Sequence, residues 1–406
     1  MCYFLRSFGL LPGDGNTQNT MKIVYIGQKG IPATWGGVEQ HVEKLSRRVA
    51  ASGNDVIVYN RPHYASEEKA NEYVKNTKRL RAITLRSLPT KHFDAIVHTA
   101  IATMHAIWKE NPDIYHYQGV GPSLLSFLPR LFRPHARVIT TFHSPDRLHQ
   151  KWNWFAQWVL TVAEWTALHF AHKTVTVSHA LQDYASETYG VTPAYIPNGV
   201  EIPQNRKPSL MNAEYGLEGN DYILVVSRLV RHKGIHYLID AFKWMDTDKK
   251  LVIVGGSAQT DDYVSELHEM ATDDDRIIFT GYQTGQMLEE LFSNCYMYVQ
   301  PSESEGLSIS VLEAASYGAA ILASDIPANS EIVRGKGFEF QNTNVSDLRV
   351  KLEQLLDNPE AIETAGRELR RHIIRAYNWE TITDDTVSVY EHEYKTMLKA
   401  KFSVAE

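Results

Sequence analysis

The chain has 406 residues, too many for one ordinary domain and enough for two of about 200 residues each. Its 43% hydrophobic and 22% charged content suits full-sized cores, and no stretch reads as a membrane span, because the best, residues 152–171, is interrupted by Gln157 and Glu164. Two cysteines, Cys2 and Cys295, the latter in an apolar run read as a buried strand, exclude a disulfide framework and a thiolate metal site and point to a cytosolic chain.

Residues 1–20 lack the charge order and cleavage site of a signal peptide and read as a disordered extension ahead of Met21. The net charge of −7 is uneven: residues 1–200 hold 21 Lys+Arg against 14 Asp+Glu, so the excess of acid lies in the second half. No nucleic-acid partner is expected.

From Met21 onward, short β-rich runs alternate with amphipathic helical stretches, the pattern of a parallel sheet wrapped by helices. In the first half strands are expected at 22–27, 55–59, 83–87, 114–117, 138–142 and 174–177, and helices at 37–51, 93–109 and 154–171. The loop after the first strand, Gly27-Gln28-Lys29-Gly30-Ile31-Pro32-Ala33-Thr34-Trp35-Gly36-Gly37, runs straight into a helix. Its glycines and the exposed amides at the helix start suit an anion, though it matches neither the dinucleotide fingerprint nor a Walker loop and also reads as a plain strand-to-helix turn. His116, in Tyr115-His116-Tyr117-Gln118-Gly119, reads equally as a cleft wall or a core histidine. Trp152, Trp154, Phe155, Trp158 and Trp165 read as helix packing or as an acceptor or membrane contact.

Residues 197–220, beginning Pro197-Asn198-Gly199, have no periodicity and form a linker. The second half repeats the alternation, with strands at 222–226, 250–254, 276–280, 296–300 and 320–323 and helices at 235–245, 263–271, 285–293 and 308–317. A last helix covers 379–401. The fold class is therefore α/β, two Rossmann-like doubly wound domains facing a central cleft. The boundaries are 21–200 for an acceptor-side domain and 201–380 for a donor-binding domain. The C-terminal helix, about 380–406, is free to pack back on the first.

Two motifs of the second half carry chemistry. Ser227-Arg228-Leu229-Val230-Arg231-His232-Lys233-Gly234 places several cations at a strand's carboxyl end, which suits a diphosphate or an ordinary solvated loop. Pro301-Ser302-Glu303-Ser304-Glu305-Gly306-Leu307-Ser308 leads into a largely apolar helix holding Glu313, about two turns in and roughly 9–10 Å along its axis. Two carboxylates so spaced can take hydroxyls at opposite ends of an elongated ligand, a sugar at one end and a ribose at the other. Asp246-Thr247-Asp248 and Asp273-Asp274-Asp275 read as solvated turns, and no metal site or cofactor is expected.

With Phe279-Thr280-Gly281-Tyr282 and Ile196-Pro197-Asn198-Gly199-Val200, these motifs resemble the donor site of the retaining glycosyltransferases of family 4, which have the GT-B fold. The resemblance runs from Met21 to about Trp379. The stretch from Gly30 to Glu39 and Lys91-His92-Phe93-Asp94 are similar to a bacterial subgroup that builds cell-surface polysaccharides and often transfers rhamnose-like sugars. The resemblance implies that Arg228 and Lys233 hold the donor diphosphate, Glu305 the donor sugar, the backbone of Gly306, Leu307 and Ser308 both, and Glu313 the ribose. It puts Tyr282 against the base, Gly36 and Gly37 toward phosphate or acceptor, and His143 beside the transferring carbon. Ser144-Pro145 stand where many relatives have glycine, which leaves the role of Asp146 open. The implied partners are a nucleotide-sugar as co-substrate and a glycan or lipid-linked acceptor. Separately, the basic excess of residues 1–200, concentrated in Lys75-Asn76-Thr77-Lys78-Arg79-Leu80-Arg81 and continued by Arg86 and Lys91, reads as a dock for an anionic membrane surface or as a solvated face. A sugar-nucleotide epimerase and a non-catalytic sugar-nucleotide scaffold share this architecture.

Overall fold

A computed structural model describes residues 20–34, 36–88, 94–145, 154–258 and 260–403. Residues 1–19, Trp35, Lys91 to Phe93, Asp146 and Trp152, all named above, lie outside them.

Two parallel sheets organise the chain. The first has seven strands in the order β3-β2-β1-β4-β5-β6-β7. These are β1 (Lys22–Ile26), β2 (Asp55–Asn60), β3 (Leu80–Thr84), β4 (Ile114–Gln118), β5 (Arg137–Phe142), β6 (Lys173–Thr176) and β7 (Ala194–Tyr195). The second has six in the order β10-β9-β8-β11-β12-β13. These are β8 (Tyr222–Val226), β9 (Lys250–Val254), β10 (Ile277–Gly281), β11 (Met297–Gln300), β12 (Ile321–Ser324) and β13 (Phe338–Phe340). The central strands are near-continuous apolar runs, KIVYI in β1 and YILVV in β8, because helices cover both faces. In each sheet the strand order reverses beside the central strand, β1 against β4 and β8 against β11. Such switch points open a crevice at the carboxyl ends of the strands.

Several elements differ from expectation for local reasons. The third strand begins at Leu80, because Arg79 turns the chain in a left-handed conformation (φ 66°) and Val56 pairs with Leu80. β7 and β13 are edge strands of two and three residues, too short to show a period. The expected linker contains a helix, Leu210–Tyr215, capped by Gly216. Cys295 follows the helix Gly285–Asn294 rather than lying in a strand, and burial pushes its thiol up to about 12.

After the second sheet the chain returns to the first. The Val200 amide donates to the Tyr377 carbonyl at 2.9 Å, and the helix Trp379–Ser403 begins there. Trp379, Ile382 and Tyr390 are buried in the cluster under β1, β2 and β4. A β-carbon on Gly199 would lie 2.4 Å from the Trp379 ring, so glycine is required at this crossing. Among the described residues no helix is long and apolar enough to cross a membrane.

Candidate active site

The loop after β1 is held by the helix it enters. Glu39 Oε1 accepts from the Lys29 amide at 3.0 Å, and Glu43 Oε2 accepts from the Ala33 amide at 3.1 Å. Gly36, at φ +89°, caps the helix Gly37–Ala51 without a side-chain bond, and a β-carbon there would sit 2.4 Å from Glu39 Oε2. The first-turn amides have no intrahelical acceptor by geometry, so they remain available to an anion. Gly37 faces Ile309 of the second domain, whose Cδ1 would lie 3.1 Å from an added β-carbon. These glycines therefore stand where the two domains meet.

Glu305 is the centre of a tight polar knot after β11. Its Oε1 accepts from Lys233 Nζ at 2.5 Å and from Gln300 Nε2 and Ser302 Oγ at 2.7 Å each. No protein group among the described residues bonds its other oxygen. Lys233, with Ser302, holds the carboxyl below its usual range against the opposing effect of burial. Lys233 reaches it from the 3-10 turn Arg231–Lys233 after β8. Gly234 permits that approach, since its β-carbon would fall 1.9 Å from the Pro301 carbonyl. Arg228, on the same loop, is exposed, and its guanidinium has no hydrogen-bond or ion-pair partner among the described residues.

Gly306 and Leu307 follow Glu305, both buried, and Ser308 Oγ pairs with Ser310 Oγ at 3.2 Å. A β-carbon on Gly306 would lie 1.7 Å from the His143 carbonyl, so this loop packs directly on the end of β5 in the first domain. His143 Nε2 bonds Gln118 Oε1 at 2.9 Å, and the His143 ring meets His41 edge-on at 5.2 Å. Burial, with His41 and His116 nearby, lowers its pKa well below the usual value. It is a neutral imidazole, and with an amide oxygen accepting it carries its proton on Nε2.

The helix Ile309–Tyr317 starts one residue later than expected. Glu313 therefore sits about one turn in, roughly 6 Å along the axis. It lines a cleft of about 590 Å³ together with Lys44, Tyr282, Tyr317 and Trp379. Arg228, Lys233, Glu305 and His143 stand outside that lining. The Tyr282 hydroxyl donates to the Thr34 carbonyl of the first domain, a direct bond across the cleft. His41, Lys44 and Trp379 were not among the residues expected here. Gln40 and Lys44, both lining the cleft, lie one turn apart on the helix after the glycine loop, which is a sequence signal for Lys44.

Burial raises the Glu313 pKa to about 7, with Lys44 opposing. This is a raised folded-state pKa for an acid, so the folded state holds its proton and stability is lost as pH rises from the unfolded value toward 7. A pair of ligand hydroxyls held by this group would gain two charge-assisted bonds only once the carboxyl ionises. Nucleotide affinity is therefore expected to strengthen as pH rises through about 7. In Glu313→Gln that pH dependence should vanish, as titration calorimetry can measure.

Other candidates take structural places. His116 is a core histidine rather than a cleft wall: Nδ1 meets Tyr390 Oη at 2.6 Å, Nε2 meets Thr141 Oγ1 at 2.7 Å, and it is 1% exposed. Arg276 ties both acidic turns together, pairing with Asp274 at 2.8 Å and donating to the Met245 and Thr247 carbonyls. Among the described residues no three His, Cys, Asp or Glu side chains are grouped to hold a metal ion.

Two family models match the chain. Residues 35–203 match Glycosyltransferase Family 4, and residues 210–376 match Glycosyl transferases group 1. Each half of the chain thus matches one glycosyltransferase domain model. It is 23% identical over 397 residues to O-antigen chain mannosyltransferase C of Escherichia coli, covering 94% of this chain and all of that one. Sucrose-phosphate synthase from Thermosynechococcus elongatus superposes with a TM-score of 0.79 at 20% identity, covering 93% of this chain and 100% of that one. Anabaena Alr3699/HepE in complex with UDP and glucose superposes at 0.76 with 19% identity, covering 92% and 100%. The two-sheet architecture is the GT-B arrangement expected from the sequence.

Proposed function

We propose that this glycosyltransferase-family chain moves a hexose from a nucleotide-sugar to a glycan or lipid-linked acceptor, with retention and without a metal, in bacterial cell-surface polysaccharide synthesis. The reading rests chiefly on the way Lys233, Glu305, Gly306 and His143 are packed together across the domain boundary, beside a cleft lined by Glu313 and Tyr282. Its volume of about 590 Å³ is within the range of small-molecule sites. Sugar transfer needs fixed positive charge where the diphosphate departs, and Lys233 and Arg228 supply it. Glu305 Oε2 takes a donor-sugar hydroxyl, Glu313 takes the ribose, and Tyr282 packs on the base. A solved relative carries UDP and glucose, and another relative is named for O-antigen synthesis, which favours the same chemistry here. A thermal-shift screen against UDP-, GDP-, ADP- and dTDP-sugars tests the reading, since a bound nucleotide raises the melting temperature by mass action. Failure of all four to stabilise the chain would refute it.

A cytoplasmic protein working at the inner face of the membrane is the second element of the proposal. The basic stretch from Lys75 to Arg81 is partly neutralised, with Arg79 on Asp55 at 2.9 Å and Arg81 on Glu110 at 2.6 Å. It leads into β3, four strands or about 19 Å from β5, so it does not adjoin the tryptophan helix Trp154–His169. A better docking face is apolar. Trp108, Phe127, Leu131, Phe132, Trp158 and Trp165 are exposed on helices covering one face of the first sheet. The Trp108 and Phe132 rings meet at 6.1 Å, and Arg130 donates to the Phe170 carbonyl, joining neighbouring helices into one surface. With the positive charge of this half, anionic lipid is the matching partner. Binding to phosphatidylglycerol liposomes is expected at low salt, weakened by salt and by Leu131→Asp. Equal sedimentation with neutral vesicles, or none with either, would contradict it.

A further inference from the structure

The cleft beside Glu313 has walls from both domains, and its charges are unevenly matched. Gly37 and Ile309 meet where the two wall helices begin. From that contact Lys44 lies two turns, about 10 Å, along one helix, and Glu313 about one turn along the other. Both line the cleft, together with Glu43, Glu201, Arg206 and Glu289. Arg206 Nε donates to Glu289 at 2.8 Å, and Glu43 Oε2 accepts from the Ala33 amide at 3.1 Å. Glu201 is shared between Arg48 at 2.9 Å and Lys44 at 3.5 Å, so one acid meets two cations there. The Glu313 carboxyl has no hydrogen-bond or ion-pair partner among the described residues. The other titratable groups around it bring no charge of their own. Burial lowers the His41 pKa to about 4 and keeps the Tyr282, Tyr298 and Tyr317 hydroxyls protonated. Arg370, on the helix Pro359–Ala376 packed against the Glu313 helix, donates to the Ser316 carbonyl at 2.8 Å.

We propose that Lys44 of the first domain sets donor affinity through Glu313, holding its carboxylate in the charged form that accepts two ligand hydroxyls. Its ammonium is loosely tied, because Glu201 keeps the nearer Arg48. A cation facing a carboxyl from the opposite wall favours ionisation, and only the ionised group accepts at both oxygens without a proton in the way. A side chain of the first domain thus completes the nucleotide site of the second. The Lys44 side chain is 45% exposed, so solvent screens its charge and limits the effect to about one pH unit. This inference rests on Glu313 taking the ribose of a nucleotide.

The test is calorimetric titration of the full chain with whichever of UDP, GDP, ADP and dTDP stabilises it, from about pH 6 to about pH 9. Wild-type affinity is expected to rise through about pH 7 and then level off. Lys44→Met keeps the apolar stem, removes the charge and leaves Glu201 paired with Arg48. Its curve should move up by about one pH unit, so affinity falls about tenfold below pH 7 and matches the wild type near pH 9. Lys44→Arg should restore the wild-type curve, and Lys44→Gln serves should the methionine variant fail to fold. Glu313→Gln gives the baseline for titration of the nucleotide's own phosphate, and adding Lys44→Met to it should change nothing. A loss in Lys44→Met that is equal at every pH, or an unmoved curve, overturns the proposal and leaves Glu313 standing. No nucleotide binding, or binding that Glu313→Gln leaves unchanged at every pH, overturns the reading beneath it.

Discussion

Lys233→Ala is expected to lower turnover about a hundredfold, the usual cost of removing one fixed donor aimed at a developing anion, about 3 kcal/mol. It should also destabilise the chain. The Lys233 and Glu305 side chains are 15% and 8% exposed and lie 2.5 Å apart, so losing the lysine strands a buried carboxylate. The double variant Lys233→Ala/Glu305→Gln removes the stranded charge. It should recover most of the melting temperature and none of the turnover. Wild-type turnover in the single variant, measured as nucleoside diphosphate release, would remove Lys233 from the site.

Gly306→Ala should be nearly as damaging for a different reason. Its methyl group would fall 1.7 Å from the His143 carbonyl oxygen, and backbone on both sides leaves no flexible atom to yield. The loop carrying Glu305 must then move off the end of β5, and a displacement near 1 Å at reacting groups costs about 10²-fold. Gly121→Ala is the control, because a β-carbon there meets nothing within 4 Å. Comparable activity in the two variants would mean that the contact between the domains does not position the chemistry.

Strands β1, β8 and β9 were legible as sequence because a parallel strand buried on both faces must be a continuous apolar run. The helix Gly37–Ala51 was legible for its amphipathic period and the glycines before it. β3 was displaced because polar residues such as Arg81 and Thr84 are tolerated at a sheet edge. The acidic and basic loops of the second domain announced their composition, but their pairing could not be read. Lys233 and Glu305 are 72 residues apart and meet only because β8 and β11 are neighbours in the sheet. His116 was ambiguous for the same reason: its partner Tyr390 lies 274 residues away on the returning C-terminal helix.

The most direct test of sugar transfer is release of nucleoside diphosphate from UDP-, GDP-, ADP- and dTDP-sugars by the full chain in the presence of EDTA. Release from the sugars of one base is expected, undiminished by the chelator and lowered about a hundredfold in Lys233→Ala. Release from none of them, or release that stops with EDTA and returns with Mn²⁺, would contradict a cleft that meets the leaving diphosphate with Lys233 and Arg228.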